Sequence, residues 1–452
     1  MRETLYKFKW NRHHPGAFAK FSGLMADEHV SRDELMSRQE SAKERIVRHA
    51  MEHTAFYAKF YAAAGFKAED IGTDGWFERL PVVTKKDLRE QFDGFVVQEL
   101  SQHLKVSTTG GSTGMPTKTG YDGRIEEETY SWRLQSRFGV NPWDDHAYVW
   151  RDTRQSKLAK IKNALAWWPT RHLKLDATFI TDEAIEKFLK EFNRIKPKLL
   201  QGYVGAITQV AQYVVDHYGV RRNISNGMYR PNVVWTTSAP LSPVQRKLIE
   251  QAFGAPVCDE YGSCECRWIA CQCEACSGLH VNVEHVFLEY VDENNHAVTT
   301  GEYGRALLTN LEDYAFPLIR YENGDRGRWL TEPCSCGRTL PCIDSVKGRE
   351  SESFVLPSGK TINGECLTTI FDATPELVKG FRVVQHVDKS ITIEYIPNVV
   401  GSGDKSTDID GRILEVLSLF STRLGNEVPI EFKRVDEIAH DRGKLRFVVR
   451  EK

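Results

Sequence analysis

Ser107-Thr-Thr-Gly-Gly-Ser-Thr-Gly-Met-Pro-Thr117 packs hydroxyls and glycines into one turn-rich run, directly after Leu104-Lys105-Val106, which reads as a strand. A loop of this make-up can aim backbone N–H groups and side-chain hydroxyls at phosphate oxygens, so it suits a polyphosphate. It is not a Walker loop, because no Gly-Lys-Ser/Thr closes it and Lys118 lies after the proline. Taken alone, such a run is an ordinary flexible connection. Support comes from Tyr261-Gly-Ser-Cys-Glu265, from Tyr321-Glu-Asn-Gly-Asp325 and from Gly443-Lys444.

Working outward from the loop, helix and strand alternate. Thr181 can cap a helix whose Ile185, Phe188, Leu189, Phe192 and Ile195 share one face. Leu199-Leu200 and Val233-Val-Trp235 read as buried strands, and Ser242-Pro243 opens a helix that Gly254 closes. This is the rhythm of an α/β sheet. Before the loop the chain reads as helical: Ser31-x-x-Glu34 is a candidate capping box, and Ile46, Ala50, Phe56 and Phe60 recur near helical spacing up to Gly65. Beyond it, Val286 to Val291 and Arg305 to Leu311 read as short strands. A smaller unit then follows Gly348-Arg349, with strands at Phe381 to Val387, Ile391 to Ile396 and Ile430 to Val435 and a helical stripe of Ile413, Val416, Leu417 and Phe420. The expected architecture is a large N-terminal α/β domain, residues 1–348, with a metal-bearing β excursion over about 264–342, and a small α+β C-terminal domain, residues 349–452.

Composition bounds the function. A chain of 452 residues can bury a large core in more than one domain. With 41% hydrophobic and 27% charged residues it is an ordinary globular sequence, and a formal charge of −2 argues against a nucleic-acid footprint over the whole surface. No run approaches the roughly 18 apolar residues of a membrane span, and Met1 to Trp10 lacks a signal-peptide core, so a cytoplasmic protein is expected. Nine of the ten cysteines fall between Cys258 and Cys342, which suits metal binding better than a disulfide framework.

The separate segments together resemble the adenylate-forming ligase superfamily, nearest to its phenylacetate-CoA ligase and CapK-type branch, over nearly the whole chain. The resemblance implies activation of a carboxylic acid by ATP to an acyl-adenylate with release of pyrophosphate, then transfer of the acyl group to CoA or another nucleophile. It places Ser112, Thr113 and Gly114 on the pyrophosphate end, with Thr113 near Mg²⁺. Met115 stands where the family commonly has a lysine, and Lys118 is the candidate substitute. Tyr261 and Gly262 then pack on adenine, Glu265 helps hold Mg²⁺, and Ser238, Ala239 and Pro240 line the base. A hard divalent cation on phosphate prefers the carboxylate and hydroxyl oxygens that Glu265 and Thr113 offer. Asp325 grips the ribose hydroxyls, a fit of carboxylate to cis-diol. Arg349 lies near the phosphates or ribose at the domain junction, although Glu350-Ser351-Glu352 follows it in place of the family's paired aspartates. Lys444 is the catalytic lysine that enters for adenylation and leaves for transfer.

The cysteines carry a second argument. Cys271-x-Cys273-x-x-Cys276-x-x-x-His280 lies about fifty residues before Cys334-x-Cys336, and paired soft ligands from two turns suit a tetrahedral Zn²⁺ staple. The family resemblance selects Cys273, His280, Cys334 and Cys336, with Cys271, Cys276 and Cys342 as competing ligands. A closed four-ligand site leaves no open position, which implies a structural role.

The expected substrate is an aromatic or compact acid, with CoA as acceptor. An amine, a hydroxyl or a carrier-protein thiol is the rival acceptor, and a zinc-ribbon binding module is the rival from another class. No nucleic-acid partner is expected, and a homodimer is left open.

Overall fold

The computed structural model describes residues 1–109, 117–150, 157–177, 180–221, 226–346, 354–357, 361–362, 371, 374, 377–397, 409–423, 427–438 and 448–451. It forms two compact units: Met1–Tyr6 with Val140–Asp259 and Lys347–Lys452, and Lys7–Gly139 with Glu260–Val346.

The first unit is built on a parallel sheet in the order Val257–Tyr261, Val233–Thr237, Leu199–Tyr203, His146–Trp150, His172–Asp176. Leu199–Tyr203 and Val233–Thr237 are buried at every position, as expected for strands covered on both faces. The helix Asp182–Ile195 is capped by Thr181, whose hydroxyl accepts from the Ala184 N–H at 3.3 Å. It buries Ile185, Phe188, Leu189 and Phe192 against Val210, Val214 and Phe253. The helix Pro243–Phe253 begins with a reciprocal Ser242–Gln245 capping box and stops at Gly254, whose φ of 65° is the left-handed stop that frees the chain to turn.

The same unit contains the C-terminal strands. Val378–Gln385 and Ile391–Pro397 pair antiparallel, with Val448–Arg450 and Ile430–Arg434 joining on either side in parallel. The helix Ile409–Arg423 supplies Ile413 and Leu417 to a core that also holds Phe354, Phe381, Ile393 and Val244. The first of these strands ends two residues earlier than its apolar run, because His386 to Ser390 close a turn with the His386 N–H donating to the Ser390 carbonyl at 2.9 Å.

In the second unit the long helical run is divided. Arg32–His53 and Ala55–Ala63 are separate helices, broken at Thr54. Its hydroxyl donates to the Ala50 carbonyl at 2.7 Å and accepts from the Tyr57 N–H at 3.2 Å, ending one helix and capping the next. The periodicity survives the break because both helices bury into one core, where Phe56 stacks on Phe95 at 3.9 Å between ring centroids. Ser31 caps Arg32–His53 through the Glu34 N–H. An antiparallel sheet joins Val286–Val291, Gly304–Asn310 and Tyr321–Gly327. The hairpin Leu104–Thr109 with Thr117–Asp122 brackets the glycine-rich loop. Its intervening residues 110–116 lie outside the described ones.

Candidate active site and metal centre

Two segments far apart in sequence carry the second unit's buried acidic cluster. In Tyr321–Gly327 the side chains alternate between buried and half-buried, which puts Tyr321, Asn323 and Asp325 on one face. Pairing with Gly304–Asn310 is irregular here: Arg305 lies opposite Arg326 and Leu307 opposite Glu322, so extra residues bulge out around Asn323 to Asp325. Such a bulge re-aims side chains. Gly324 sits in it with φ of 80°, a conformation that any L side chain would strain, and an added Cβ would come within 3.1 Å of the Lys85 ammonium.

The other segment follows the strand end at Tyr261. The Tyr261 hydroxyl donates to Asp325 Oδ2 at 2.9 Å, and Asn323 Nδ2 bridges both, at 2.8 Å from the Tyr261 oxygen and 2.6 Å from Asp325 Oδ2. Tyr321 donates its hydroxyl to Glu265 Oε1 at 3.1 Å. Burial, with the Asp325 carboxylate beside it, raises the Tyr261 phenol well above its ordinary range, so it stays a donor. Asp325 is 5% exposed and Glu265 7%, two carboxylates held in a largely dry place by neutral donors. A group that delivers hydroxyls or a cation to them would meet acceptors already oriented.

The metal-ligand cluster lies in the same unit. The donor atoms of Cys273, His280, Cys334 and Cys336 all fall within 4.8 Å of one another. Cys273 Sγ is 3.5 Å from Cys334 Sγ, and Cys336 Sγ is 3.3 Å from His280 Nε2. A tetrahedral zinc site would space two sulfurs by roughly 3.7 Å and a sulfur and nitrogen by roughly 3.5 Å, so the donor set fits in type and spacing. Desolvation lowers His280 to about 4, which keeps the imidazole neutral as a ligand must be. Its Nδ1 is 3.1 Å from the Leu340 carbonyl, which leaves Nε2 toward the cluster. Of the competing thiols, Cys342 lies 3.2 Å from His280 Nδ1, on the other side of the ring, and Cys276 is exposed. Cys271 is buried in a strand where it pairs with Glu260 and His280.

Comparison with known proteins gives these clusters a context. Protein CapK of Staphylococcus aureus is 23% identical over 435 residues, which is 92% of this chain and 89% of that protein. A phenylacetate-coenzyme A ligase of Thermus thermophilus is 23% identical over 79% of each chain. A solved 2-hydroxyisobutyryl-CoA ligase in its postadenylation state superposes with a TM-score of 0.74 at 21% identity, covering 94% of this chain and 91% of that one. The chain shares the fold of that ligase and is similar in sequence to phenylacetate-CoA ligases and CapK. No protein-family model matches it.

In this chain, Tyr261, Gly262, Glu265 and Asp325 come together in the second unit, whereas Ser238, Ala239 and Pro240 belong to the first, immediately after Val233–Thr237. Ser238 has φ of 76°, a left-handed conformation rare for a residue with a side chain and found where local strain serves a site. Ligands of open parallel sheets bind beyond the carboxyl ends of the strands, where the strand order changes direction. In the first unit that point falls between His146–Trp150 and Leu199–Tyr203, and their last residues, Trp150 and Tyr203, stack there at 4.3 Å between centroids. Ser112, Thr113, Gly114, Arg349 and Lys444 lie outside the described residues. Lys118 is described and exposed.

Tyr321 and Asn323 were passed over in the sequence reading, although both bind the carboxylates directly. The signal was present: Tyr321, Asn323 and Asp325 stand at period two in an otherwise strand-like run. Ser277, whose hydroxyl is 3.0 Å from Cys334 Sγ, had no comparable signal, since serine in a turn is unremarkable. Among the described residues, no helix is long and apolar enough to cross a membrane.

Proposed function

We propose that the chain activates a carboxylic acid with ATP and transfers the acyl group to CoA. The observation that carries this reading is the hydrogen-bonded union of Tyr261, Asn323 and Asp325, with Tyr321 on the same strand face donating to Glu265. Its motif elements recur in a chain that matches acyl-CoA ligases in sequence and fold.

In the first step a carboxylate oxygen of the acid attacks the α-phosphorus, and the bond to the bridging oxygen breaks to release pyrophosphate. In the second the acceptor's sulfur attacks the acyl carbon, and the carbon–oxygen bond breaks to release AMP. Two anions must approach and a third must leave, so positioning and charge neutralisation dominate catalysis. Asp325, preset by Tyr261 and Asn323, accepts from the ribose hydroxyls. Glu265, with Thr113 of the glycine loop, would hold Mg²⁺, whose charge would offset that of the phosphates. The family resemblance assigns Ser112 and Gly114 to the pyrophosphate end, Ser238 to Pro240 to the base, and Arg349 and Lys444 to the nucleotide. Residues 349–452 act as a lid whose rotation exchanges Lys444 for the acceptor. The Trp150–Tyr203 stack favours a flat or compact acid. Cys273, His280, Cys334 and Cys336 would hold Zn²⁺, which would act there as a structural staple.

The test is ATP–pyrophosphate exchange across a panel of aromatic and short aliphatic acids. Acid-dependent exchange is expected, with AMP release that requires CoA. Exchange without CoA-dependent turnover, but with turnover on an amine or a carrier-protein thiol, moves the acceptor to that class. No exchange with any acid contradicts the reading.

A further inference from the structure

The chain as a whole is close to neutral, yet residues 153–175 carry six lysines and arginines and no aspartate or glutamate. The helix Lys157–Trp167 lies in this stretch, and Leu158, Ile161 and Leu165 recur in it at helical spacing. Its second half does not sink into a core. Every residue from Lys162 to Trp168 is exposed, including Leu165 at 67%, Trp167 at 36% and Trp168 at 55%. These are three of the few large apolar side chains on the described surface, placed next to one another.

The surroundings add positive charge and rigidity. Trp167 stacks on His172 at 4.1 Å, so its indole is braced rather than loose. Arg171 and Arg2 both bond to Asp145, bringing the start of the helix Arg2–Asn11, with its exposed Leu5, to the same corner. Lys162, Arg171 and Lys174 are exposed around the two indoles. A helix with leucine and tryptophan beside lysine suits the boundary between lipid headgroups and acyl chains, where indoles prefer to sit and lysines meet anionic headgroups.

We propose that this corner docks the enzyme peripherally on an anionic phospholipid surface. A second copy of the chain fits the corner poorly, because a two-fold contact would set this wholly basic stretch against itself. Protein partners of acidic character match the charge, but a pair of adjacent exposed tryptophans matches the bilayer interface better.

The test is co-sedimentation of the full chain with vesicles of phosphatidylcholine alone or with roughly one-third phosphatidylglycerol. The chain is expected to sediment with the anionic vesicles, and to be released by high salt. Two variants separate the contributions. K160E/K162E is expected to lower partitioning at least about tenfold, and W167S/W168S to reduce it to the level seen with neutral vesicles. Unchanged far-UV circular dichroism shows that each variant folds. Quenching of tryptophan fluorescence by brominated acyl chains, lost in W167S/W168S, reports insertion independently. No sedimentation with either lipid overturns the proposal, as does equal binding by the parent and both variants. Failure to bind vesicles together with a dimer that W167S/W168S dissolves also overturns it, in favour of self-association.

Discussion

The carboxylate cluster and the cysteine cluster occupy the same unit but are built on opposite plans. In the cysteine cluster four soft donors converge within 4.8 Å, and a neighbouring carbonyl occupies the other nitrogen of His280. Such a set can close around one ion. In the acidic cluster two carboxylates are preset by Tyr261, Asn323 and Tyr321, and a strand bulge turns Asp325 out of the regular ladder. A closed donor set around an ion can only stabilise, whereas an acceptor set preset by neutral donors can bind and release a ligand. Breaking the first should therefore cost stability, and breaking the second should cost chemistry.

The largest effect is expected at Asp325. Asp325→Ala removes the proposed ribose acceptor, and pyrophosphate exchange should fall by roughly 10²–10³, while the melting temperature changes little. A large loss of stability with exchange intact in the folded fraction would reverse the roles of the two clusters. Next comes the metal. Chelation under reducing conditions, or Cys336→Ser, should lower the melting temperature by several degrees, as expected for a structural ion whose binding energy is folding energy. Exchange per folded molecule at lower temperature should persist. Chelator-sensitive exchange without a change in melting would place the ion in the chemistry instead.

A third experiment separates both clusters from an acid-sensitive region of the other unit. His146 and His172 stack at 5.5 Å between centroids, and desolvation lowers them to about 4 and about 3. In the unfolded chain each titrates near 6.5, so as pH falls below that value the unfolded state takes up protons first and stability is lost until the folded values are reached. Between pH 7 and about 4.5 each of the two should account for roughly 2–3 kcal/mol. Urea titrations of a His146→Phe/His172→Phe variant should show a flatter decline, and an unchanged slope would shift the acid sensitivity to other groups. The smallest effect is a control in the first unit: Thr181→Ala should cost about 1 kcal/mol of stability through its lost cap and leave exchange per folded molecule unaltered.

How much of this was legible in the sequence depended on whether a feature was local. Thr181, Ser242 and Gly254 announced their helix ends because capping is a matter of a few adjacent residues. The buried strands at Leu199 and Val233 were equally plain from their apolar runs. Thr54 was missed because periodicity reads which face is buried and is blind to a break that keeps the face. Asp325, Glu265 and the four metal donors were nameable from motifs, since residue type and spacing carry that chemistry. Their partners were not: that Asn323 bridges Tyr261 and Asp325 depends on a bulge formed with a strand some fifteen residues earlier, a non-local pairing. The division into compact units was also hidden, because Val257–Tyr261 passes from one unit to the other within a single strand.

The most direct measurement follows the acid's own oxygen. When the preferred acid is supplied with its carboxylate labelled by heavy oxygen, together with ATP and CoA, one labelled oxygen should appear in the AMP released, left by the bond formed at the α-phosphorus. AMP without label, or label recovered in inorganic phosphate, would contradict an acyl-adenylate and with it the assignment of the Tyr261, Glu265 and Asp325 cluster to adenylation.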